Sequence, residues 1–213
     1  MIYNNDIAKS LAEYLLQINA IKLNLQTPFT WASGWKSPIY CDNRLTLSYP
    51  LCRNAIKDGF AALVKDRFPE AQLIAGVATA GIPHGALVAD SLQKPFIYVR
   101  SAPKAHGLTN KIEGKLEKGD KVVVVEDLIS TGKSSLEVVE AIRACGAEVV
   151  GMIAIFTYGF PVADEAFKAA DCPYYTLSDY NTLIEVAVEQ HKIEATQLAT
   201  LQSWRENPSA WGV

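Results

Sequence analysis

Two adjacent carboxylates, Glu126 and Asp127, stand between a run of four valines and a turn made of Ser130, Thr131, Gly132, Lys133 and Ser134. The valines, residues 122–125, predict a strand buried on both faces. Carboxylates at the end of such a strand can accept hydrogen bonds from the paired hydroxyls of a pentose. A turn of small hydroxylated residues before an apolar-periodic helix, residues 136–144, offers free backbone N–H groups and the positive end of a helix dipole to a phosphate. Gly132 allows close backbone approach, and the Ser130, Thr131 and Ser134 hydroxyls add donors. The arrangement is a socket for a sugar phosphate. An ordinary Ser/Thr helix cap is the plainer alternative, and Asp127 could also serve as a base. Gly132-Lys133-Ser134 imitates the end of a nucleotide-triphosphate loop, but that loop needs glycine at position 127. Asp127 there would repel a β-phosphate, which excludes it.

Two further groups of residues have chemical potential. Arg100, Lys104, His106 and Lys111 lie in or beside a polar, glycine-bearing stretch, residues 101–119, which reads as a mobile loop with room for short strand pieces. They can surround a diphosphate, and a mobile loop carrying them can close over a site and exclude water. Taken alone they are ordinary surface cations. Residues 29–44 gather aromatic rings, a Ser-Gly turn and Arg44. A planar heterocycle can lie against such rings while backbone N–H groups take a carboxylate, and an aromatic cap packed on a sheet is the alternative.

The elements that must position these residues follow from periodicity and punctuation. Residues 6–16 read as an amphipathic helix with Ile7, Leu11, Tyr14 and Leu15 on one side. Residues 28–43 are turn-rich with short extended pieces. Ser48 and Pro50 mark a helix start, and residues 51–68 continue it. Residues 72–78 and 95–100 read as strands, with a turn at 79–83 and a helix to about Leu92 between them. Pro83 suits the first position of that helix. Strand candidates at 149–156 and 174–177 alternate with helices at 164–170 and 180–190, and Gly146 reads as a C-cap. Alternation of this kind implies an α/β fold, an open and mostly parallel sheet with helices on both faces. Ligands bind at the carboxyl ends of its strands, so residues 79–83 and 126–134 share one rim. The expected organisation is a single domain, residues 1–213, with an N-terminal hood segment 1–45 over a core 46–213 that carries the mobile loop 101–119.

Composition narrows the class. With 213 residues, 49% of them hydrophobic, the chain can bury a substantial core. A net charge of −3 argues against a nucleic-acid partner, which favours a basic excess. Cys41, Cys52, Cys145 and Cys172 show no metal-ligand spacing and read as reduced thiols. Residues 1–16 lack an uninterrupted apolar core, and no stretch approaches a membrane span. A soluble cytoplasmic protein without membrane attachment is expected.

Residues 124–134 resemble the 5-phosphoribosyl 1-pyrophosphate (PRPP) motif of type I phosphoribosyltransferases. F-T-x-x-S-G-x-x-S-P-x-Y, residues 29–40, is similar to the hood motif of the orotate phosphoribosyltransferase family. Y-V-R-S-x-P-K-x-H-G, residues 98–107, is similar to its catalytic loop. Phe156 to Gly159 and residues 174–183 add weaker matches, so that the resemblance covers nearly the whole chain in the family's order.

The resemblance implies a reaction in which orotate and PRPP give orotidine 5′-monophosphate and pyrophosphate, in pyrimidine biosynthesis. It implies Mg²⁺ carried by PRPP near Glu126 and Asp127, with no direct protein ligand. It also implies a homodimer with shared active sites, the loop lysine reaching into the neighbour. The residues carried over for PRPP are Arg100, Lys104, His106 and the run Glu126, Asp127, Leu128, Ile129, Ser130, Thr131, Gly132, Lys133 and Ser134. Lys104 and Asp127 are the catalytic candidates, and Lys104 is expected to stabilise the transition state. Ser130 is expected to touch orotate. Four positions depart from other branches of the family. Ala32 and Ala80 replace lysines, Ser101 replaces a basic residue, and Tyr158 replaces an arginine. Arg44, or backbone N–H groups near Ser33 and Gly34, is expected to hold the base in their place.

Overall fold

The computed structural model describes residues 1–31, 34–100 and 111–211. The first part of the chain comprises α1 (Asn5–Gln17), β1 (Ile21–Leu23), β2 (Phe29–Thr30), β3 (Lys36–Ser37), β4 (Ile39–Cys41), a 3-10 helix (Asn43–Ser48) and α2 (Pro50–Arg67). It continues with β5 (Leu73–Val77), α3 (Gly81–Leu92), β6 (Phe96–Val99), β7 (Ile112–Glu113), β8 (Lys121–Ile129) and α4 (Lys133–Ala144). The last part comprises β9 (Glu148–Thr157), α5 (Pro161–Ala169), β10 (Tyr174–Asp179), α6 (Tyr180–Glu189), a 3-10 turn (Ala195–Gln197) and α7 (Leu198–Glu206).

Six strands form the central sheet in the order β10-β9-β8-β5-β6-β7. All neighbours are parallel except β7, which returns antiparallel along β6. The chain builds rightward from β5 through α3 to β6, and leftward from β8 through α4 to β9. The order therefore reverses between β5 and β8, where a crevice opens beyond the strand ends. The valine run explains the sheet's depth. Val123 and Val125 join the core shared with α1, α2, α6 and α7, while Val122 and Val124 join the core under α4 and α5. Side chains alternate across a strand, so all four are fully buried only because helices cover both faces.

Several boundaries differ from the sequence reading. β8 does not end at the acids but runs through them to Ile129, since β9 pairs with Leu128 and Ile129. Pro83 is the third residue of α3, which begins at Gly81. Its missing N–H costs nothing there, because first-turn N–H groups have no intrahelical partner. Within residues 101–119, by contrast, residues 112–113 form β7, a short strand piece of the kind expected there, and Arg100 N–H donates to Lys111 O at 2.8 Å. Within residues 1–45, the expected hood segment, α1 buries Ala8, Leu11, Ala12, Leu15 and Leu16, and at the edge of β10 Tyr3 N–H donates to Thr176 O while Thr176 N–H donates to Met1 O. Two small antiparallel sheets, β1–β4 and β2–β3, carry Thr30, Tyr40 and Cys41 to a cavity that Leu128 and Ser130 of the core also line.

α7 has no counterpart among the sequence expectations. It drives Trp204, fully buried, beneath the hood, where the indole N–H donates to Lys36 O at 3.1 Å. Trp204 meets Trp31, Tyr158, Phe160 and Tyr180 with ring centroids 5.3–5.7 Å apart. Aromatic rings at such separations attract edge to face. The C-terminal helix thus anchors the hood of its own subunit to the core.

Candidate active site

A cavity of about 280 Å³ occupies the crevice between β5 and β8. Its floor is the turn Ala78, Thr79 and Ala80, its wall Glu126 and Asp127, and its rim Arg100 and Lys111. The Ala78–Thr79 peptide is cis. Glycine lets the floor approach the wall. A Cβ on Gly81 would press into the Val125 carbonyl oxygen, and one on Gly76 would lie 2.9 Å from Ile82 Cα. Main chain thus packs on main chain, and α3 starts directly against β8.

The acid pair is held from behind. Glu126, 6% exposed, accepts from Asp127 N–H and from Ser135 Oγ–H, each at 3.0 Å. Burial, then the neighbouring Asp127 charge, pushes the Glu126 carboxyl up to about 8. Burial also raises Asp127, while its hydrogen bond with Glu126 opposes the rise. Charged groups taken out of water favour their neutral forms unless a partner replaces the water. Two raised carboxyls facing a cavity accordingly favour a ligand that brings hydroxyl donors or positive charge.

Beside the acids, α4 begins with an open end. Gly132 is its N-cap at φ +80°, and no side chain caps the helix. The serine and threonine hydroxyls do not serve as the plain cap, so the first-turn N–H groups remain available to an anion. Gly132 is required on two counts. Its φ is left-handed, and a Cβ would lie 2.9 Å from the Phe167 ring.

A second cavity of about 380 Å³ adjoins the first across Leu128 and is walled by Thr30, Trp31, Tyr40, Cys41, Ser130 and Tyr158. Trp31 and Tyr158 lie with centroids 4.9 Å apart, and Trp31 donates its indole N–H to Ile39 O at 3.2 Å. The hood therefore presents ring faces, with the hydroxyls of Thr30, Tyr40 and Ser130 around them. A flat heterocycle fits this cavity, a ribose and phosphates fit the other, and Leu128 marks the junction.

The phosphoribosyl transferase domain family matches residues 53–189. An orotate phosphoribosyltransferase of Bacteroides thetaiotaomicron is 59% identical over 97% of both chains. That of Bacillus subtilis is 56% identical over 97% of this chain and 96% of its own. The crystal structure of the Aeropyrum pernix orotate phosphoribosyltransferase superposes with a TM-score of 0.73 at 28% identity, over 85% of this chain and 98% of the other. This chain belongs to the orotate phosphoribosyltransferases.

Family membership makes the position of each expected residue informative. Glu126, Asp127, Leu128, Ser134 and Arg100 line the first cavity, and Ser130 lines the second. Ile129 is fully buried, which leaves only its main chain for any ligand role. Thr131 is half-buried, Gly132 buried and Lys133 exposed. Arg100 lies 3.5 Å from the Glu113 carboxylate, an ion pair that secures it to β7. Lys104, His106, Ser101, Ala32 and Ser33 fall outside the described residues.

Arg44 lines neither of these cavities. It is largely exposed and forms a two-pronged pair with Asp42, at 2.6 and 2.9 Å. Gly34 N–H is committed to Trp31 O at 2.8 Å. Tyr158 is buried among Trp31, Phe156, Phe160 and Trp204. An arginine there would strand its charge in an aromatic core, so α7 and Tyr158 belong together as one packing solution. Sequence reasoning missed Ser135, Glu137 and Asn43. Ser135 supports Glu126 and Glu137 lines the cavity. Asn43 Nδ2 donates to Asp127 O at 2.6 Å. Of the three, Asn43 lies 84 residues from its partner, while Ser135 and Glu137 stand on α4 directly after β8.

Proposed function

We propose that the chain transfers the ribose 5-phosphate of PRPP to orotate, forming orotidine 5′-monophosphate and pyrophosphate in pyrimidine biosynthesis. The observation that carries the site assignment is the acid pair of β8 on the wall of the first cavity, beside the uncapped start of α4. Glu126 and Asp127 hold the ribose hydroxyls. The residues 130–134 turn takes the 5′-phosphate on backbone N–H groups. The aromatic cavity receives orotate, with Ser130 at its edge. Displacement at the anomeric carbon passes through an oxocarbenium-like state. The protein therefore has two electrostatic tasks, to tolerate positive charge on the sugar and to stabilise negative charge on departing pyrophosphate. Carboxylates at the ribose serve the first, and Arg100, Lys104 and His106 serve the second. Asp127 as a general base is the lesser role.

Glu126 and Asp127 supply hard carboxylate oxygens of the kind Mg²⁺ accepts, and such ions are commonly held through one or two carboxylates and substrate phosphates. The donor set fits a metal that arrives with the diphosphate and offsets its charge. The homodimer with Lys104 crossing to the neighbouring site, and a cytoplasmic setting, complete the proposal. No helix among the described residues is long and apolar enough to cross a membrane.

The decisive assay mixes the protein with PRPP, Mg²⁺ and either orotate or a purine base, and measures released pyrophosphate. Release with orotate alone is expected. Release with a purine and not with orotate overturns the substrate, and tight PRPP binding without turnover on any base overturns the enzyme reading.

A further inference from the structure

Asp127 stands where the sheet loses a strand. β5 pairs with β8 only as far as Gly76 opposite Val125, then turns away. On the other edge β8 keeps pairing with β9, through Glu126 opposite Ala154 and Leu128 opposite Phe156. Alternate residues of a strand turn their main-chain groups to opposite neighbours, so those of Asp127 face the vacated edge. Buried peptide groups there need other partners. They find side chains. Asp127 N–H donates to Glu126 Oε1 at 3.0 Å, and Asp127 C=O accepts from Asn43 Nδ2 at 2.6 Å.

Asn43 is itself fixed on every side. It is 1% exposed, and its Oδ1 accepts from the Cys41 thiol at 3.3 Å. Its own C=O accepts from Thr46 Oγ1–H at 2.6 Å, and that oxygen lies 3.3 Å from His84 Nε2. Thr46 and His84 are also buried. With the Thr46 hydroxyl proton assigned to Asn43 O, the Nε2–H tautomer of His84 is the one that completes this contact. A chain of buried polar groups thus runs from α3, which opens at the cavity floor, through the 3-10 helix under the hood, to the main chain of β8.

We propose that Asn43 is a positioning residue for phosphoribosyl transfer, replacing the missing ladder partner and setting the main chain of Asp127, and with it the carboxylate, against the sugar phosphate. The inference rests on the reading of Glu126 and Asp127 as the ribose-holding pair. Asn43 touches no substrate in this role. It acts only through the Asp127 carbonyl, and Thr46 and His84 hold it in register.

Steady-state kinetics of Asn43→Leu, Thr46→Val and Thr46→Ser tests this, with melting temperatures to confirm folding. Asn43→Leu should raise the KM for PRPP at least fivefold and lower kcat/KM for PRPP at least tenfold, with the KM for orotate within twofold. Thr46→Val should shift the same constants in the same direction by about threefold, and Thr46→Ser, which keeps the hydroxyl, should restore them. A merely structural role would lower kcat with the folded fraction and leave both KM values in place. That pattern in Asn43→Leu, or in Thr46→Val if Asn43→Leu does not fold, overturns the inference. Asp127→Asn is the control for the underlying reading. If it leaves PRPP kinetics within twofold, the acid pair is not the ribose site. If it impairs PRPP use while Asn43→Leu and Thr46→Val do not, only the positioning role fails.

Discussion

Replacing Glu126 by glutamine should stabilise the ligand-free protein at neutral and alkaline pH while impairing turnover. Glu126 is buried, and its carboxyl is pushed up to about 8 from an ordinary 4.5 by burial and by the Asp127 charge. Between those values the folded chain holds a proton that the unfolded chain has released. The associated stability is complete below about pH 4.5 and is lost as pH rises toward 8. At about 1.4 kcal/mol for each tenfold change in proton affinity, the full effect is bounded at roughly 4–5 kcal/mol. Relaxation and water entry around the ion bring the part a melting experiment reads to about 2 kcal/mol. For a chain of this size that is about 4–8 °C. Glutamine mimics the protonated acid, since its oxygen can accept from Asp127 N–H and its nitrogen can donate to Ser135 Oγ. Melting curves of both proteins without ligand, taken from pH 5 to pH 8, should therefore diverge, the wild type falling about 4–8 °C more than Glu126→Gln. Parallel curves would show that Glu126 is not the source of the pH dependence and refute the electrostatic account. In the same variant, kcat/KM for PRPP should fall at least tenfold, about 1.4 kcal/mol.

Other perturbations probe the supports of the site. Trp204→Ala empties a fully buried ring position and frees the Lys36 carbonyl; a loss of about 3–5 kcal/mol is expected, with a rise in orotate KM as the hood loosens. A melting temperature within about 2 °C of wild type would show that α7 is not an anchor. Gly81→Ala drives a Cβ into the Val125 carbonyl, and because backbone lies on both sides α3 must lift away. The expected cost is about 1–3 kcal/mol, with PRPP affinity reduced about tenfold; unchanged stability and affinity would contradict the close approach. Lys104→Ala should abolish most turnover at an unchanged melting temperature, and an unaltered kcat would remove the residue from the transition state.

The structure rewards local reading where one element suffices. The valine run, the turn with Gly132 and the apolar period of α4 each announce themselves within a few residues, because strand burial, left-handed backbone and helix amphipathicity are short-range properties. The alternation of strands and helices then limited the fold to an open parallel sheet and placed residues 79–83 and 126–134 on one rim. Short-range reading failed at edges decided by partners. β8 runs on through the acids because β9 keeps pairing with it.

From its residues alone this chain declared its sugar-phosphate chemistry and its family, since the donors and acceptors that meet such a ligand lie close together along the backbone. Folding in space decided the rest. It set Asn43 on the carbonyl of Asp127 across 84 positions of chain, brought Trp204 under a hood 168 residues away, and packed the Tyr158 ring between Trp31 and Trp204. Those contacts answer to the buried polar groups and apolar surface that two distant segments leave for one another, and no window of sequence contains both sides.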